Sequence, residues 1–93
     1  MTIYISGSIS KNPNYKTDFE NAKKTLKEKG FDKIISPTVL PTNLDYEQYM
    51  TITFAMVQAC DCVYMLKNWK DSDGATREYY FAIANKKTVI FED

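Results

Sequence analysis

The stretch that decides the fold is Cys62–Leu66, with the sequence CVYML. It is a continuous apolar run between the charged residues Asp61 and Lys67. A strand with one face in water alternates apolar and polar residues, whereas a strand that is covered on both faces is apolar throughout. The run therefore predicts a central strand of a parallel sheet with helices on both sides.

The segments next to this run alternate between helix and strand patterns. Upstream, Asp45 is a plausible N-cap. It precedes an apolar stripe at spacings of three and four that predicts a helix, formed by Tyr46, Tyr49, Met50, Thr53, Val57 and Cys60. Downstream, a polar loop over Lys67–Gly74 leads to a predicted helix over Ala75–Asn85 and a last strand over Thr88–Phe91.

The N-terminal half shows the same alternation. Residues Thr2–Ser6 (TIYIS) form a predicted strand that ends at Gly7. A helix is predicted next, because apolar residues recur at helical spacing at Phe19, Ala22 and Leu26. We expect this helix to end at Gly30. Lys33–Ile35 is a second short strand, and Thr38–Leu44 is a predicted loop.

This β-α-β-α-β-α-β order requires crossover helices, which produce parallel strands with right-handed connections. We predict one α/β domain over residues 1–93, with a four-stranded parallel sheet of order 2-1-3-4 flanked by three helices.

Composition excludes several classes of function. The 93 residues contain no histidine, which excludes His-based triads and the usual zinc sites. Twelve basic and twelve acidic residues balance, so binding to a nucleic-acid polymer is not expected. No apolar run approaches about 20 residues, so we expect no membrane span, and a cytoplasmic location. Cys60 and Cys62 are expected to be buried thiols, and we expect no metal and no cofactor.

Ligands of such sheets bind beyond the carboxyl ends of the strands. Three segments follow those ends, namely Gly7-Ser8-Ile9, Ser36-Pro37 and Trp69–Gly74. Taken alone, the first is a weak signal, because Gly-Ser turns are common. The segment Trp69–Gly74 has two interpretations. It is either a turn with a side-chain cap, or it supplies hydroxyl and amide groups that contact a ligand, with the Trp69 indole as a platform. We expect the site to be built from these segments.

Glu78 is the residue that is most informative about the chemistry of the site. It falls beside Ala75 and Ala82 on the edge of the predicted inward stripe, in the first turn of its helix. One interpretation is a carboxylate that only complements the helix dipole. The other is an ionised, partly buried nucleophile at the strand ends. Asp61, at the opposite end of its strand, is better explained as a structural cap.

Three segments together resemble the nucleoside 2-deoxyribosyltransferase superfamily, namely MTIYISGSI, ACDCVYML and WKDSDGATREYYFAIANKKTVIFE. The similar branches are short phage-associated proteins and 2′-deoxynucleoside 5′-phosphate N-hydrolases. The most specific part is the Ser72-x-Gly74-x-x-x-Glu78 spacing, joined to Tyr4-x-x-Gly7-Ser8-Ile9. The resemblance implies a flavodoxin-like, three-layer α/β/α fold.

The resemblance also implies cleavage of N-glycosidic bonds of nucleosides or their monophosphates. Glu78 would then be the nucleophile, and Tyr4 would hydrogen-bond near its carboxylate. Gly7, Ser8 and Ile9 would line the sugar and base pocket, and Ser72 and Gly74 would bind a sugar hydroxyl or a 5′-phosphate.

The sequence departs from the family at one position. The family's acidic partner lies about two turns before the third strand, where this chain has Thr53. A threonine cannot exchange protons as a carboxyl does. It could instead bond back to the Tyr49 carbonyl within its helix. Asp71 or Asp73 could replace the missing carboxyl, and because the chain is short, a neighbouring subunit could complete the pocket.

Two hypotheses of different class remain from the sequence. One is an N-glycosidase or deoxyribosyltransferase that acts through Glu78. The other is a phage-type accessory protein, in a host cytoplasm, that sequesters a nucleotide-derived ligand without turnover. Either would be expected as a homodimer or larger assembly, because apolar residues occupy more than one face of the second helix. These residues are Tyr46, Tyr49, Met50, Phe54 and Met56.

Overall fold

The computed structural model describes residues 1–93 and contains four strands and three α-helices. The strands are β1 (Thr2–Ser6), β2 (Lys33–Ile35), β3 (Cys62–Met65) and β4 (Thr88–Phe91). The helices are α1 (Tyr15–Glu28), α2 (Tyr46–Ala59) and α3 (Asp73–Ala84). All strand pairs are parallel, and the sheet order β2-β1-β3-β4 confirms the predicted 2-1-3-4 order.

The two faces of the sheet carry separate cores, as the apolar run in β3 predicts. On one face, Cys62, Tyr64 and Leu66 pack with side chains of β1 and α1. On the other face, Val63 and Met65 pack with Tyr4 and with residues of α2 and α3. Because side chains alternate along a strand, the residues of β1 also divide between the two faces.

Capping side chains fix where the helices begin. Asp45 and Gln48 form a reciprocal capping box at the start of α2, which confirms the predicted N-cap. The Ser72 hydroxyl accepts a 3.1 Å hydrogen bond from the Ala75 backbone, so α3 begins at Asp73 rather than at the predicted Ala75. Within the predicted loops, 3₁₀ turns form over Pro37–Val39 and Trp69–Asp71.

Most of the apolar α2 residues on which the prediction of self-association rests are at least partly buried within the protein. Met50 is buried, and the Phe54 ring stacks on Phe81 of α3 with 4.7 Å between ring centroids. Exposed apolar side chains are also present on α3 and β4, where Tyr80 is 64% exposed and Phe91 is 51% exposed. Homo-oligomer formation stays a prediction.

The turn after β1 depends on the absence of a side chain at Gly7. A Cβ there would lie 2.9 Å from Leu66 Cβ and 2.7 Å from Leu66 Cδ1. We expect Gly7→Ala to lower the free energy of unfolding by about 1–3 kcal/mol, the usual cost of overpacking. Urea denaturation followed by circular dichroism measures the change.

Gly74→Ala is the matched control, because a Cβ at Gly74 meets its nearest atom, Met50 Sδ, at 3.4 Å. Alanine is also favoured over glycine in a helix by about 1 kcal/mol. This variant should be as stable as the wild type or more stable. Equal destabilisation by both substitutions would contradict the steric argument.

Candidate active site

A cavity of about 770 Å³ opens beyond the carboxyl ends of β1 and β2. Its wall is formed by the loop after β1, the segment after β2 and the first turns of α2 and α3. Strand order reverses between β1 and β3, because the chain runs from β1 to β2 on one side and returns to β3 on the other. This is the position at which open parallel sheets bind ligands.

The Glu78 carboxyl group is buried at this cavity, with 3% of the residue exposed. The Tyr4 hydroxyl donates a 2.9 Å hydrogen bond to Oε2, and the Ser6 hydroxyl donates a 2.7 Å hydrogen bond to Oε1. Tyr4 and Ser6 lie two residues apart on β1, so both side chains point to the α3 face of the sheet. Each oxygen of the carboxylate therefore has its own donor from a single strand.

Glu78 lies deeper in the fold than its sequence position suggests. Because α3 begins at Asp73, Glu78 is its sixth residue and belongs to the second turn. It shares the buried stripe with Ala75 and Ala82, whereas Ile83 is 49% exposed. The predicted first-turn position is therefore wrong, since the Ser72 cap starts the helix earlier. The predicted position at the edge of the stripe is also wrong, because the buried stripe includes Glu78 and excludes Ile83.

Burial raises the pKa of Glu78 above its ordinary value. Hydrogen bonds from Ser6, Thr53 and Tyr4 lower this pKa again, but they do not cancel the effect of desolvation. The net direction is opposite to the helix-dipole effect expected from the sequence. Burial also raises the pKa of Tyr4, and the charge of Glu78 raises it further, so this phenol remains a hydrogen-bond donor.

Thr53 is fully buried on α2, next to the pair formed by Glu78 and Tyr4, and its hydroxyl lowers the pKa of both. Within its own helix the hydroxyl is 3.4 Å from the Met50 carbonyl oxygen, so the predicted bond to the Tyr49 carbonyl is wrong by one residue. Thr53 and Tyr4 lie behind Glu78 and do not line the cavity.

The other predicted site residues divide into two groups. Gly7, Ile9, Ser72 and Gly74 line the cavity together with Glu78. Ser8 is buried outside it, where its backbone N–H donates to Asn68 Oδ1 over 3.1 Å.

Trp69 also lies away from the cavity. Its ring packs on Tyr79, with 4.7 Å between centroids, and lies 6.2 Å from the ring of Phe91. The structure therefore does not bring the indole to the cavity wall, because it packs on the aromatic side chains of α3 and β4.

The remaining acidic and thiol groups have clear structural positions. Asp73 lines the cavity and Asp71 does not. Asp61 accepts a 3.0 Å hydrogen bond from the Thr2 backbone, which confirms its predicted role as a structural cap. Cys60 and Cys62 are free, buried thiols, and burial raises the pKa of Cys60 to about 11.

Two residues near the carboxylate have contacts or positions that the sequence does not predict. From the sequence, the Ser6 hydroxyl is expected to hold phosphate or ribose oxygens as part of the Ser6-Gly7-Ser8 turn, although its i, i+2 spacing from Tyr4 already places both side chains on one face. Tyr49 lines the cavity, and its pKa is raised by burial, by the charge of Glu78 and by Tyr15. Tyr49 belongs to the apolar stripe of its helix, and nothing in the sequence distinguishes it from a core residue of that stripe.

Two further findings concern the whole chain. No three or more Cys, Asp or Glu side chains come together in a way that could hold a metal ion. No helix has the length and apolar character that are needed to cross a membrane.

The fold and the site together define a class of protein. Its members have a flavodoxin-like parallel sheet and a buried carboxylate at a cavity beyond the strand ends. The chain belongs to the family described as "Domain of unknown function (DUF4406)", which matches residues 1–91. No curated protein matches the sequence.

A solved structure described as a 2-desoxiribosyltransferase from Leishmania mexicana is similar, with a TM-score of 0.70 and 24% sequence identity. The match covers 97% of this chain and 62% of that chain, so this chain spans less than two thirds of its relative's length. The similarity confirms the deoxyribosyltransferase-like fold that the sequence motifs imply.

The raised pKa of Glu78 leads to a prediction about stability. An unfolded glutamate titrates at about pH 4.3. Between this pH and the higher folded-state pKa, the folded protein binds more protons than the unfolded one, so stability falls as pH rises through that window. Glu78→Gln lacks this penalty and should unfold at a higher temperature than the wild type at neutral pH. Each kcal/mol gained corresponds to about 4–8 °C in a domain of this size.

The comparison is made by thermal melting between about pH 4 and 8, where the difference between the two proteins should shrink toward the acidic end. Glu20→Gln on the exposed face of α1 is the control, and its effect should stay within about 0.5 kcal/mol at every pH. A Glu78→Gln protein that is less stable than the wild type at neutral pH would contradict the argument.

Proposed function

We propose that the cavity binds a nucleoside or nucleotide and that Glu78 attacks its anomeric carbon, which releases the base. One observation carries the proposal, namely a buried carboxylate at a strand-end cavity whose two oxygens are held by Tyr4 and Ser6. The protein forms two salt bridges, Lys23 with Glu20 and Arg77 with Glu47, and neither includes Glu78. A carboxylate that no cation neutralises keeps the electron density that a nucleophile requires.

The proposed reaction has two steps. An oxygen of the Glu78 carboxylate forms a bond to the anomeric carbon, and the bond from that carbon to the base nitrogen breaks with its electron pair on the base. The departing base takes up a proton. Water or a second base then attacks the same carbon and releases a proton to solvent, while the ester bond to Glu78 breaks with its electron pair on the carboxylate, which is regenerated. Hydroxyl donors on both oxygens hold the carboxylate in one orientation throughout.

The source of the proton limits the proposed rate. A retaining pair has two carboxyl groups about 5–5.5 Å apart. Beside Glu78 the helix α2 offers Thr53, whose hydroxyl does not titrate near neutral pH. Asp73 precedes Glu78 by five residues, a rise of about 7.5 Å along α3, and its Oδ2 already accepts a 2.6 Å hydrogen bond from Tyr46. We therefore expect slow turnover.

A second candidate function is ligand binding without turnover. Thr53 in place of a carboxyl group favours it, and so does the raised pKa of Glu78, which reduces the ionised fraction. In this case the protein would sequester a nucleotide-derived ligand or signal. Both candidates use the same cavity, and they differ in whether a base is released.

The two candidates are separated by base release in three variants. Glu78→Gln keeps the shape of the side chain and removes its charge, so it should abolish base release while the ligand still binds. Thr53→Asp places a carboxyl group beside Glu78, where repulsion between like charges keeps one of the two protonated. Since general acid assistance is worth about 10²–10⁴-fold, this variant should regain part of that factor.

Thr51→Asp is the matched control, because Thr51 is exposed on α2 and bonds to its own helix at the Glu47 carbonyl. It should leave the rate unchanged. Chromatography of the released base across a panel of nucleosides and monophosphates gives the rates, and thermal melting verifies that each variant is folded. Base release that persists in Glu78→Gln would refute the nucleophile assignment. Ligand binding with no base release by any variant would favour the second candidate.

A further inference from the structure

The side chains that contact Glu78 hold its carboxylate, but none of them is suited to protonate a departing base. Tyr4 and Ser6 donate to the two carboxylate oxygens, at 2.9 and 2.7 Å. Burial and the charge of Glu78 raise the pKa of Tyr4, so this phenol keeps its proton at neutral pH. The hydroxyls of Ser6 and Thr53 do not titrate in this range. The surroundings of the nucleophile therefore supply hydrogen bonds, but no group that releases a proton near neutral pH.

A departing base needs a proton only if it would otherwise leave as an anion. When the bond to a neutral base breaks, its electron pair makes the base negative unless an acid protonates it. When the glycosidic nitrogen belongs to a positively charged ring, such as a pyridinium or an N7-alkylated purine, the same electron pair neutralises the ring. A carboxylate nucleophile without an acid therefore discriminates between these two kinds of base.

The cavity wall has the charge that suits a cationic base. Asp73 and Glu78 place two carboxylates on the wall, and of the twelve lysine and arginine residues of the chain Lys11 lines it. The Arg77 guanidinium pairs with Glu47 at 3.4 Å. A cation close to Glu78 favours the ionised carboxylate and so opposes the desolvation that raises its pKa. A cationic base would thus increase the fraction of the nucleophile that can react.

Aromatic rings belong to the same wall. Tyr15, Tyr46 and Tyr49 all line the cavity. The Arg77 guanidinium lies over the Tyr46 ring, 5.4 Å from its centroid, so one ring of the wall already holds a planar cation. Tyr49 lies close enough to Glu78 for the carboxylate charge to raise its pKa. Because the faces of aromatic rings attract cations, Tyr49 and Glu78 offer two favourable contacts to one flat cationic base.

Resting on the proposed function, we propose that the substrates of this site are nucleosides whose base carries a fixed positive charge on the ring of the glycosidic nitrogen. An oxygen of the Glu78 carboxylate forms a bond to the anomeric carbon, and the bond to the base nitrogen breaks with its electron pair on the ring. The base leaves as a neutral molecule without taking up a proton. Water then attacks the anomeric carbon and releases one proton to solvent, while the bond to Glu78 breaks with its electron pair on the carboxylate. Thr53 is compatible with this reaction, because a carboxyl group in its place would have no proton to deliver.

The test compares guanosine with 7-methylguanosine, and 2′-deoxyguanosine with 7-methyl-2′-deoxyguanosine. The members of each pair have the same sugar and differ by one methyl group and one charge. Chromatography measures the released base at a fixed, mildly acidic pH, and spontaneous hydrolysis without protein is subtracted. For the sugar that is accepted, the wild-type kcat/KM should be at least about 10²-fold higher for the methylated nucleoside, the lower end of what general acid assistance is worth. Nicotinamide riboside is a second cationic probe, with a smaller ring, for the case that a methylated purine does not fit.

Two variants at one position separate the need for a proton from the general reactivity of the cation. Thr53→Asp introduces an acid that helps only the neutral base, so the ratio of the two kcat/KM values should fall by at least about tenfold. Thr53→Asn has a side chain of the same size with no acidic proton, and its ratio should stay within about threefold of the wild-type ratio. Thermal melting verifies that both variants are folded.

The pH dependence of the wild-type protein gives a second measurement that needs no variant. Ionisation of Glu78 affects both members of a pair and cancels in their ratio, whereas only the neutral base takes a proton from solvent. The ratio should therefore rise between about pH 5 and 6.5.

Equal kcat/KM values within a pair, or a ratio that changes neither in Thr53→Asp nor with pH, would overturn this inference and leave the proposed function standing. Base release from neutral nucleosides but from no cationic probe would overturn it as well. If neither neutral nor cationic nucleosides release a base, the proposed cleavage is wrong and the inference is wrong with it.

Discussion

The structure depends on the burial of one carboxyl group, that of Glu78. Removing an ionisable group from water is unfavourable unless its polar atoms are satisfied. Here the hydroxyls of Tyr4 and Ser6 bind its two oxygens, at 2.9 and 2.7 Å. Both donors come from β1, and both can point at α3 only if β1 lies beside β3 in parallel register, with Tyr4 opposite Val63 and Ser6 opposite Met65. The sheet order and the carboxylate site are therefore one arrangement.

This arrangement also explains why the site is suited to a chemical reaction. Charged groups inside proteins are normally paired with an opposite charge, whereas Glu78 is satisfied by neutral hydroxyls. Its raised pKa shows that the surroundings favour the protonated form more than water does. At neutral pH the ionised carboxylate is held at some cost in stability, beside a cavity of about 770 Å³. Perturbed titration at a cleft is typical of functional sites, and Glu78 belongs to neither of the two salt bridges of the protein.

Most of the fold could be predicted from the sequence, because the apolar run in β3 and the alternation of helix and strand patterns carry the topology. What the sequence could not supply were the details set by single hydrogen bonds. The cap at Ser72 starts α3 two residues early, which places Glu78 in the second turn, and the buried stripe of the helix runs through Ala75, Glu78 and Ala82. Trp69 lies in the segment between β3 and α3, which leads to the site. Its ring packs on Tyr79 and near Phe91, away from the cavity wall. These contacts are between distant residues and have no local pattern.

The site residues were partly predictable for a related reason. Spacing along β1 and α3 brings Gly7, Gly74 and Glu78 to the cavity, because the carboxyl ends of parallel strands meet at one edge of the sheet. Tyr49 belongs to the same helical stripe as Val57, which lies in the core, and no sequence signal separates the two. The position of the cavity along α2 decides which of them meets a ligand.

The central claim is that Glu78 is a buried carboxyl group held by two hydroxyls from β1. The most direct measurement is a ¹³C NMR titration of the glutamate side-chain carboxyl groups, with the Glu78 signal assigned by its loss in Glu78→Gln. The account predicts a midpoint above the ordinary value of about 4.3. It also predicts a further rise in Tyr4→Phe, which removes a donor that favours the ionised form. A Glu78 midpoint at or below the ordinary value, unchanged in Tyr4→Phe, would contradict the account.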